Sequence, residues 1–483
     1  MLNEIVSLDR LTYVDQGITY LNQIDLQIYK GEIFGFLSIN SQGQNELIEL
    51  LKRNLPIHYG KISINNNIVN HYQNSDSSLN PEVYVLDRDS KLINGFTVAD
   101  NFAVFSNKKS PFIVNDTQNE IRFEEESKKL GLDISGSSLV DDLSTYHRYA
   151  LEIMRAVASG ALFIILRDIS NYISQNELTS MFALLRKYAK SGISFGYFCN
   201  HHEEQFLISD RVSLWEDGNI IKILEPDSYS DKMMLNYSFD FSKLKEYPAD
   251  ETHKGIVDFK NLTTQNLKEL TFSIKPGECV TILDQANEIH SDIISIFQGE
   301  LLPEMGDIYV KDKPVKEKLL DVFYIPEYPM DSSILSELSF MDNLIIPLNR
   351  KIPHLWMRSK VRKSIYSEYK DMFEDYIDLE SIDHLKPSIL YQLIYERAIL
   401  YNPKVVLIMQ PFSNADMYLR QDIIYLINNL KRSKIAVIIL AVNLSDSIFV
   451  ADRLILVNQG RVESVVGQES FNEIMGTIYS EPL

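Results

Sequence analysis

The stretch Ser38-Ile39-Asn40-Ser41-Gln42-Gly43-Gln44-Asn45 has the setting of a phosphate-gripping loop. The apolar run Ile33-Phe34-Gly35-Phe36-Leu37 leads into it, and a helical pattern beginning near Glu46-Leu47-Ile48 leads out. The pattern G-x-x-x-x-G-K-[ST] performs this chemistry with backbone N–H groups around the phosphates, a lysine on their outer oxygens and a hydroxyl on magnesium. Here Ser38 stands at the first glycine, Gln44 at the lysine and Asn45 at the hydroxyl, so that Gly43 alone is kept. Gln44 carries no charge for phosphate, and Asn45 is a poor substitute for a magnesium-bound hydroxyl. The frame of a nucleotide site is present without its working groups. His201-His202-Glu203-Glu204 contains metal-ligand residue types. Adjacent residues do not share a helix face, and no cysteine or further histidine completes a set, so a solvated helix start is expected and no metal site.

The elements that must hold these residues recur along the chain. Lys30-Gly31-Glu32 is answered by Pro276-Gly277-Glu278, and Tyr59-Gly60-Lys61-Ile62-Ser63-Ile64 by Met305-Gly306-Asp307-Ile308-Tyr309-Val310. Phe96-Thr97-Val98-Ala99-Asp100-Asn101 is answered by Leu338-Ser339-Phe340-Met341-Asp342-Asn343. Ser209-Asp210-Arg211-Val212 and Asp217-Gly218 close one half; Ala451-Asp452-Arg453-Leu454 and Gln459-Gly460 close the other. Landmarks in one order, repeated at half the chain length, indicate a duplicated domain. The spacing predicts domains over 1–235 and 254–483, joined by a polar, mildly acidic linker over 236–253. Short strands are expected at Leu11-Thr12-Tyr13 and Ile24-Asp25-Leu26-Gln27-Ile28. Continuous β-branched runs such as Leu162-Phe163-Ile164-Ile165-Leu166 and Val405-Val406-Leu407-Ile408 alternate with helical stretches, a pattern of parallel strands buried on both faces.

Composition narrows the partners. A chain of 483 residues with 45% hydrophobic and 24% charged residues reads as globular and multidomain. Its net charge of -20 argues against a nucleic-acid backbone as partner. Cys199 and Cys279, the only cysteines, lie in or beside apolar runs and read as buried free thiols. Met1-Leu2-Asn3-Glu4 has no secretion-signal pattern, and no apolar run approaches a membrane span. A cytoplasmic place is expected, with any membrane contact made through a partner.

Taken together, these landmarks resemble the ATP-binding-cassette (ABC) ATPases, specifically the tandem single-chain subunits of ribose- and galactose-type sugar importers. The resemblance covers nearly the whole chain. It is most specific over Glu177 to Asp210, in Tyr324-Ile325-Pro326-Glu327 and in Asn402-Pro403-Lys404-Val405-Val406-Leu407-Ile408. It implies an α/β fold of two tandem P-loop-type domains. Each has a mostly parallel sheet with flanking helices, an antiparallel β subdomain and a helical insert.

The resemblance also places the family's chemistry on residues. Tyr13 falls where adenine stacks on an aromatic ring, with a Tyr packed on its own sheet as the equal alternative. Ser38, Asn40, Gly43, Gln44 and Asn45 fall on the first phosphate loop, and Arg88 on the glutamine that senses the γ-phosphate through magnesium. Arg167 replaces the magnesium-supporting aspartate, Asp168 keeps an acid at the catalytic-glutamate position, and Asn200 takes the switch-histidine position. The signature loop reads Leu143-Ser144-Thr145-Tyr146-His147, with Tyr146 filling the second-glycine space. In the second half the loop is Asp284-Gln285-Ala286-Asn287-Glu288-Ile289-His290-Ser291, with His290 at the lysine and Ser291 keeping the hydroxyl. Asp284 and Glu288 put carboxylates where phosphate belongs. The second signature is Leu385-Lys386-Pro387-Ser388-Ile389, and Met409-Gln410 loses both acids. The family joins one cassette's loop to the other's signature. Gln44, Asn45 and Arg88 are thereby paired with Pro387 and Ser388, and His290 and Ser291 with Thr145 and Tyr146.

The expectation is a pseudo-ATPase, an internal pseudo-dimer that regulates or scaffolds a membrane permease or another ABC protein. The resemblance puts the permease-docking surface near Arg88 and the helical insert after it, about Asn101 to Asp141. ATP and magnesium are the only cofactors the resemblance suggests, and the decayed loops argue against both. The rival is a working sugar-import ATPase that uses Asp168 as base. A ribosome-binding tandem cassette is disfavoured by the acidic balance and the short linker.

Overall fold

The computed structural model describes residues 3–73, 77–87, 90–106, 116–230, 254–316, 320–352, 359–413, 415–442 and 445–471. The chain divides into two compact units, Met1–Ser238 and Phe239–Pro482. The predicted linker over 236–253 lies outside the described residues.

Each unit is built on a six-stranded sheet, parallel except for one edge strand. In the first unit the order is Asn219–Leu224, Arg211–Glu216, Ile33–Ser38, Ser194–Phe198, Phe163–Arg167 and Val83–Leu86, with Asn219–Leu224 antiparallel. The second unit repeats it with Arg461–Gly467, Arg453–Asn458, Cys279–Asp284, Ala436–Ala441, Val405–Met409 and Val322–Ile325. The central strands Ile33–Ser38 and Cys279–Asp284 are buried at every position. Helices and a second sheet cover the two faces, so these strands read as unbroken apolar runs without alternation.

A four-stranded antiparallel sheet accompanies each: Ile18–Tyr29, Glu4–Asp15, Tyr59–Ile64 and Asn67–His71 in the first unit, with its counterpart at 257–314 in the second. The short strands expected near Leu11 and Ile24 are parts of two twelve-residue strands. Register shifts between Leu8 and Val14, with left-handed backbone at Arg10 and Gln23, interrupt the alternation and hide their length in the sequence.

Two of the repeated landmarks are partners in space. Glu32, in the Lys-Gly-Glu turn, pairs with Arg211 at 2.6 Å, and Arg211 also donates to the Gln27 carbonyl. Glu278 pairs with Arg453 at 2.5 Å in the same way. Asp210 accepts the Ile33 amide and Arg186; Asp452 accepts the Cys279 amide and Lys431. These charges, buried at Glu32, Glu278, Asp452 and Lys431 and part-exposed at Asp210 and Arg186, clamp the first residues of each central strand, which fixes where its far end delivers the loop. Cys199 and Cys279 are both buried and free. No helix among the described residues is long and apolar enough to cross a membrane.

Candidate functional site

In both units the loop of interest leaves the carboxyl end of the central strand and opens a nine-residue helix, Gln44–Lys52 or His290–Gln298. That end of a parallel sheet is where this architecture places ligands. In the first unit Gly43 precedes the helix in the left-handed region, at φ +86°. A Cβ there would lie 2.3 Å from the Tyr20 carbonyl oxygen and 2.8 Å from Leu21, so the loop is pressed against its neighbour strand. Asn40 exchanges hydrogen bonds with Asp217, its Nδ2 donating to Oδ1 at 2.7 Å and its Oδ1 accepting the Asp217 amide. Trp215 Nε1 donates to the Gln42 carbonyl at 3.0 Å. The Gln44 amide folds back to donate to Ser38 Oγ, spanning the loop from the lysine position to the first-glycine position. The loop's polar side chains are therefore engaged, Gln44 within the loop and Asn40 with Asp217 beyond it.

Arg167, at the magnesium-supporting position, turns toward this loop. Its Nη2 donates to Asn45 Oδ1 at 2.8 Å and its Nη1 lies 3.4 Å from Asp87 Oδ2. A guanidinium thus links Asn45 of the loop to Asp87, just past the end of Val83–Leu86. Asp87 carried no signal in the sequence; only proximity in the sheet reveals it. Arg88 and the adjacent Asp89 lie outside the described residues.

Asp168 sits half-buried at the end of Phe163–Arg167 with left-handed backbone, φ +46°. Its amide donates to the Phe198 carbonyl at 2.9 Å. Gln410 holds the same conformation in the second unit, φ +40°, with its amide on Leu440. Behind Asp168 lies a buried polar group that sequence reasoning missed. Glu204 turns inward and accepts the Tyr197 hydroxyl. Burial raises its carboxyl pKa. The solvated helix start expected over 201–204 fails at Glu204, because the helix His202–Ile208 packs one face on the sheet. Among the described residues no group of His, Cys, Asp and Glu is arranged to hold a metal ion.

The first signature-like loop is also engaged internally. Ser144 caps the helix Thr145–Ser159, and its hydroxyl lies 3.1 Å from His147 Nδ1 and donates to Glu177 at 3.2 Å. Glu177 belongs to the capping box of the next helix. A carboxylate thus stands beside the first serine of this loop. Tyr146 is half-buried against the core, its ring 5.1 Å from that of His147. Tyr13 is half-buried against the core of the antiparallel sheet, its ring 6.4 Å from that of Tyr20.

In the second unit the loop holds an anion of its own. Asp284 is 1% exposed, and its carboxylate accepts the amides of Ala286 at 3.2 Å, Glu288 at 2.7 Å and Ile289 at 2.9 Å. Successive N–H groups aimed at one point form the concave nest in which phosphate loops hold phosphate. Here the nest is filled by a side chain of the same loop, while Glu288 points to solvent. His290, at the lysine position, is buried, with Nδ1 2.9 Å from Asn287 Oδ1. Burial pushes its pKa down to about 4, against the opposing pull of Asp284. It is a neutral ring at neutral pH and supplies no cation. Ser291 is exposed.

The chain carries the ATP-binding-cassette fold twice in one polypeptide, once in each unit. A family model described as ABC transporter matches residues 21–169. Over nearly its whole length the chain is similar to sugar-import ATP-binding proteins. It is 22% identical to the ribose import ATP-binding protein of Geobacillus kaustophilus, over 94% of each chain. It is 19% identical to the xylose import protein of Moorella thermoacetica, over 97% of each. It is 21% identical to the galactose/methyl galactoside import protein of Clostridium tetani, over 98% of this chain and 97% of that one. Among solved structures, the archaeal ribosome recycling factor aABCE1, in complex with the stalk protein aP1, shares the fold. Its TM-score is 0.60 at 15% identity, over 98% of this chain and 92% of that one.

Proposed function

We propose that this chain is a pseudo-ATPase that serves as a regulatory or scaffold partner of a membrane permease, or of another ABC protein, and does not turn over ATP. One observation carries the reading: the second loop's amides are taken by Asp284, so a phosphate entering there must first displace a buried, triply hydrogen-bonded carboxylate. The first unit adds support, since Arg167 places a fixed positive charge beside Asn45 where a metal would need ligands. Phosphoryl transfer depends on charges placed around the phosphate, and in the first unit the lysine, metal acid and hydroxyl are absent or reassigned together. The link to carbohydrate transport and to a permease comes from the relatives' names and the resemblance. The helical insert near 101–141 suits a docking role, because Ile121 and Leu139 on it, with Ile93 and Phe96 beside it, are exposed.

The rival reading, an ATP-hydrolysing subunit of a sugar importer, has one observation on its side. Asp168 keeps a partly exposed carboxylate at the end of its strand. The deciding experiment measures magnesium-ATP turnover and equilibrium ATP binding on the purified chain and on Asp168→Asn. Turnover at the background of a boiled control in both supports the proposal. Turnover that Asp168→Asn abolishes overturns it.

A further inference from the structure

The two units treat one buried arginine differently. In the first, Arg155 is the eleventh residue of the helix Thr145–Ser159, and Glu152 lies one turn before it. Tyr84, second in the strand Val83–Leu86, joins them: its hydroxyl donates to Glu152 at 2.8 Å and accepts from Arg155 Nη2 at 3.1 Å. Ser90 and the Lys91 amide also bond to Glu152. The buried cation has a buried acid beside it, bridged to it by the Tyr84 hydroxyl.

The second unit keeps the arginine and loses the rest. Arg397 is the eleventh residue of Pro387–Tyr401, Ile394 stands where Glu152 does, and Phe323 stands where Tyr84 does. Arg397 is 3% exposed. Its Nη1 donates to the Ser333 carbonyl and its Nη2 to Asn343 Oδ1, both neutral acceptors. Nε has no acceptor among the described residues. A buried guanidinium without an acid is costly. Burial alone acts on its pKa, lowering it to about 10. A cavity of about 520 Å³ opens here, lined by Arg397, Ile394, Phe323, Phe297, Ile346 and Arg350 among others. That volume is in the range of small-molecule sites, and the combination of apolar walls with one or two convergent charges is their usual chemistry.

We propose that this cavity binds a small monoanion with an apolar body, a carboxylate on a short alkyl or aryl group. Its carboxylate takes, against Arg397, the place that Glu152 holds beside Arg155. The apolar body lies on Phe297, Phe323 and Ile394, where water is poorly accommodated. Arg350 at the cavity wall adds a second positive charge. The site is independent of the nucleotide loops and of the pseudo-ATPase reading.

The test is calorimetric titration of the full chain with hexanoate, and with 1-hexanol and hexylamine as matched bodies without the negative charge. Saturable binding of hexanoate that exceeds hexanol by tenfold or more is expected. Arg397→Gln should lose that binding. Since Arg397→Gln removes a buried anchor, the double variant Phe323→Tyr/Ile394→Glu is the stronger probe, because it rebuilds the first unit's own arrangement. It is expected to stay folded, with an unchanged or higher urea midpoint, and to lose hexanoate affinity at least tenfold. Equal binding of hexanol and hexanoate overturns the proposal. So does unchanged hexanoate affinity in the folded double variant, or no saturable binding of hexanoate, octanoate or benzoate by the native chain.

Discussion

Arg167 donates from Nη2 to Asn45 Oδ1 at 2.8 Å, across 122 positions of sequence. The bond sets a cation at the end of one strand against an amide oxygen at the start of the loop's helix. Together with Asp87 they form a neutralised contact that needs no ion.

That contact is part-exposed, so its energetic weight is small. Arg167→Ala should destabilise the first unit by about 1 kcal/mol or less, the usual range for a solvent-screened pair with one added hydrogen bond. A double-mutant cycle with Asn45→Ala, read by urea unfolding, should return a coupling of roughly 0.5 kcal/mol. Strict additivity of the two changes would mean the contact is not formed in solution.

Asp284 is expected to matter far more. Replacing it by alanine leaves three loop amides, one buried and two part-buried, without their acceptor, a loss of roughly 1–3 kcal/mol. The same change empties the nest, so inorganic phosphate should raise the variant's urea midpoint more than that of the native chain. Equal stability of Asp284→Ala and native protein would show that the carboxylate does not hold the loop.

His290 sets a pH dependence. Its folded pKa is depressed to about 4 from the ordinary 6.5, so the native state resists a proton that the unfolded chain accepts. The stabilisation is complete above pH 6.5 and is lost as pH falls from there to about 4, by at most about 3 kcal/mol. Denaturant unfolding across that window should show a shallower acid decline in His290→Gln. An identical decline in both proteins would assign it to other groups.

Gly43→Ala tests the packing of the first loop. The left-handed backbone disfavours alanine, and its Cβ would meet the Tyr20 carbonyl at 2.3 Å. A loss of roughly 2 kcal/mol or more in urea unfolding is expected. A loss under about 0.5 kcal/mol would mean the loop moves away from that strand at little cost.

Much of the fold was legible because its signals are local. Unbroken runs such as Phe163–Arg167 and Val405–Met409 announce strands buried on both faces, and the Gly-Glu turns and Asp-Arg closures recur in order. That those two landmarks bond to each other, Glu32 to Arg211 and Glu278 to Arg453, is not legible, since nothing local names a partner 179 or 175 residues away. The bulged hairpin was misjudged as short strands for a related reason. Arg10 and Gln23 each break the two-residue alternation on which strand length is read.

At the candidate sites the sequence by itself determined which residue types stand in the two loops, Gln44 and Asn45 in one and Asp284, Glu288 and His290 in the other. Only the tertiary structure decided what those side chains do. Asp284 and Glu288 look alike as letters, yet one is buried on three amides and the other faces water. Glu204 looked solvated and lies inside. Ile394 and Phe323 are unremarkable until the other unit shows the acid and hydroxyl they displaced from around a buried arginine. A side chain's chemistry is inherited from its residue type, but its charge state and partners are set by solvent exclusion and by neighbours the fold brings from far along the chain.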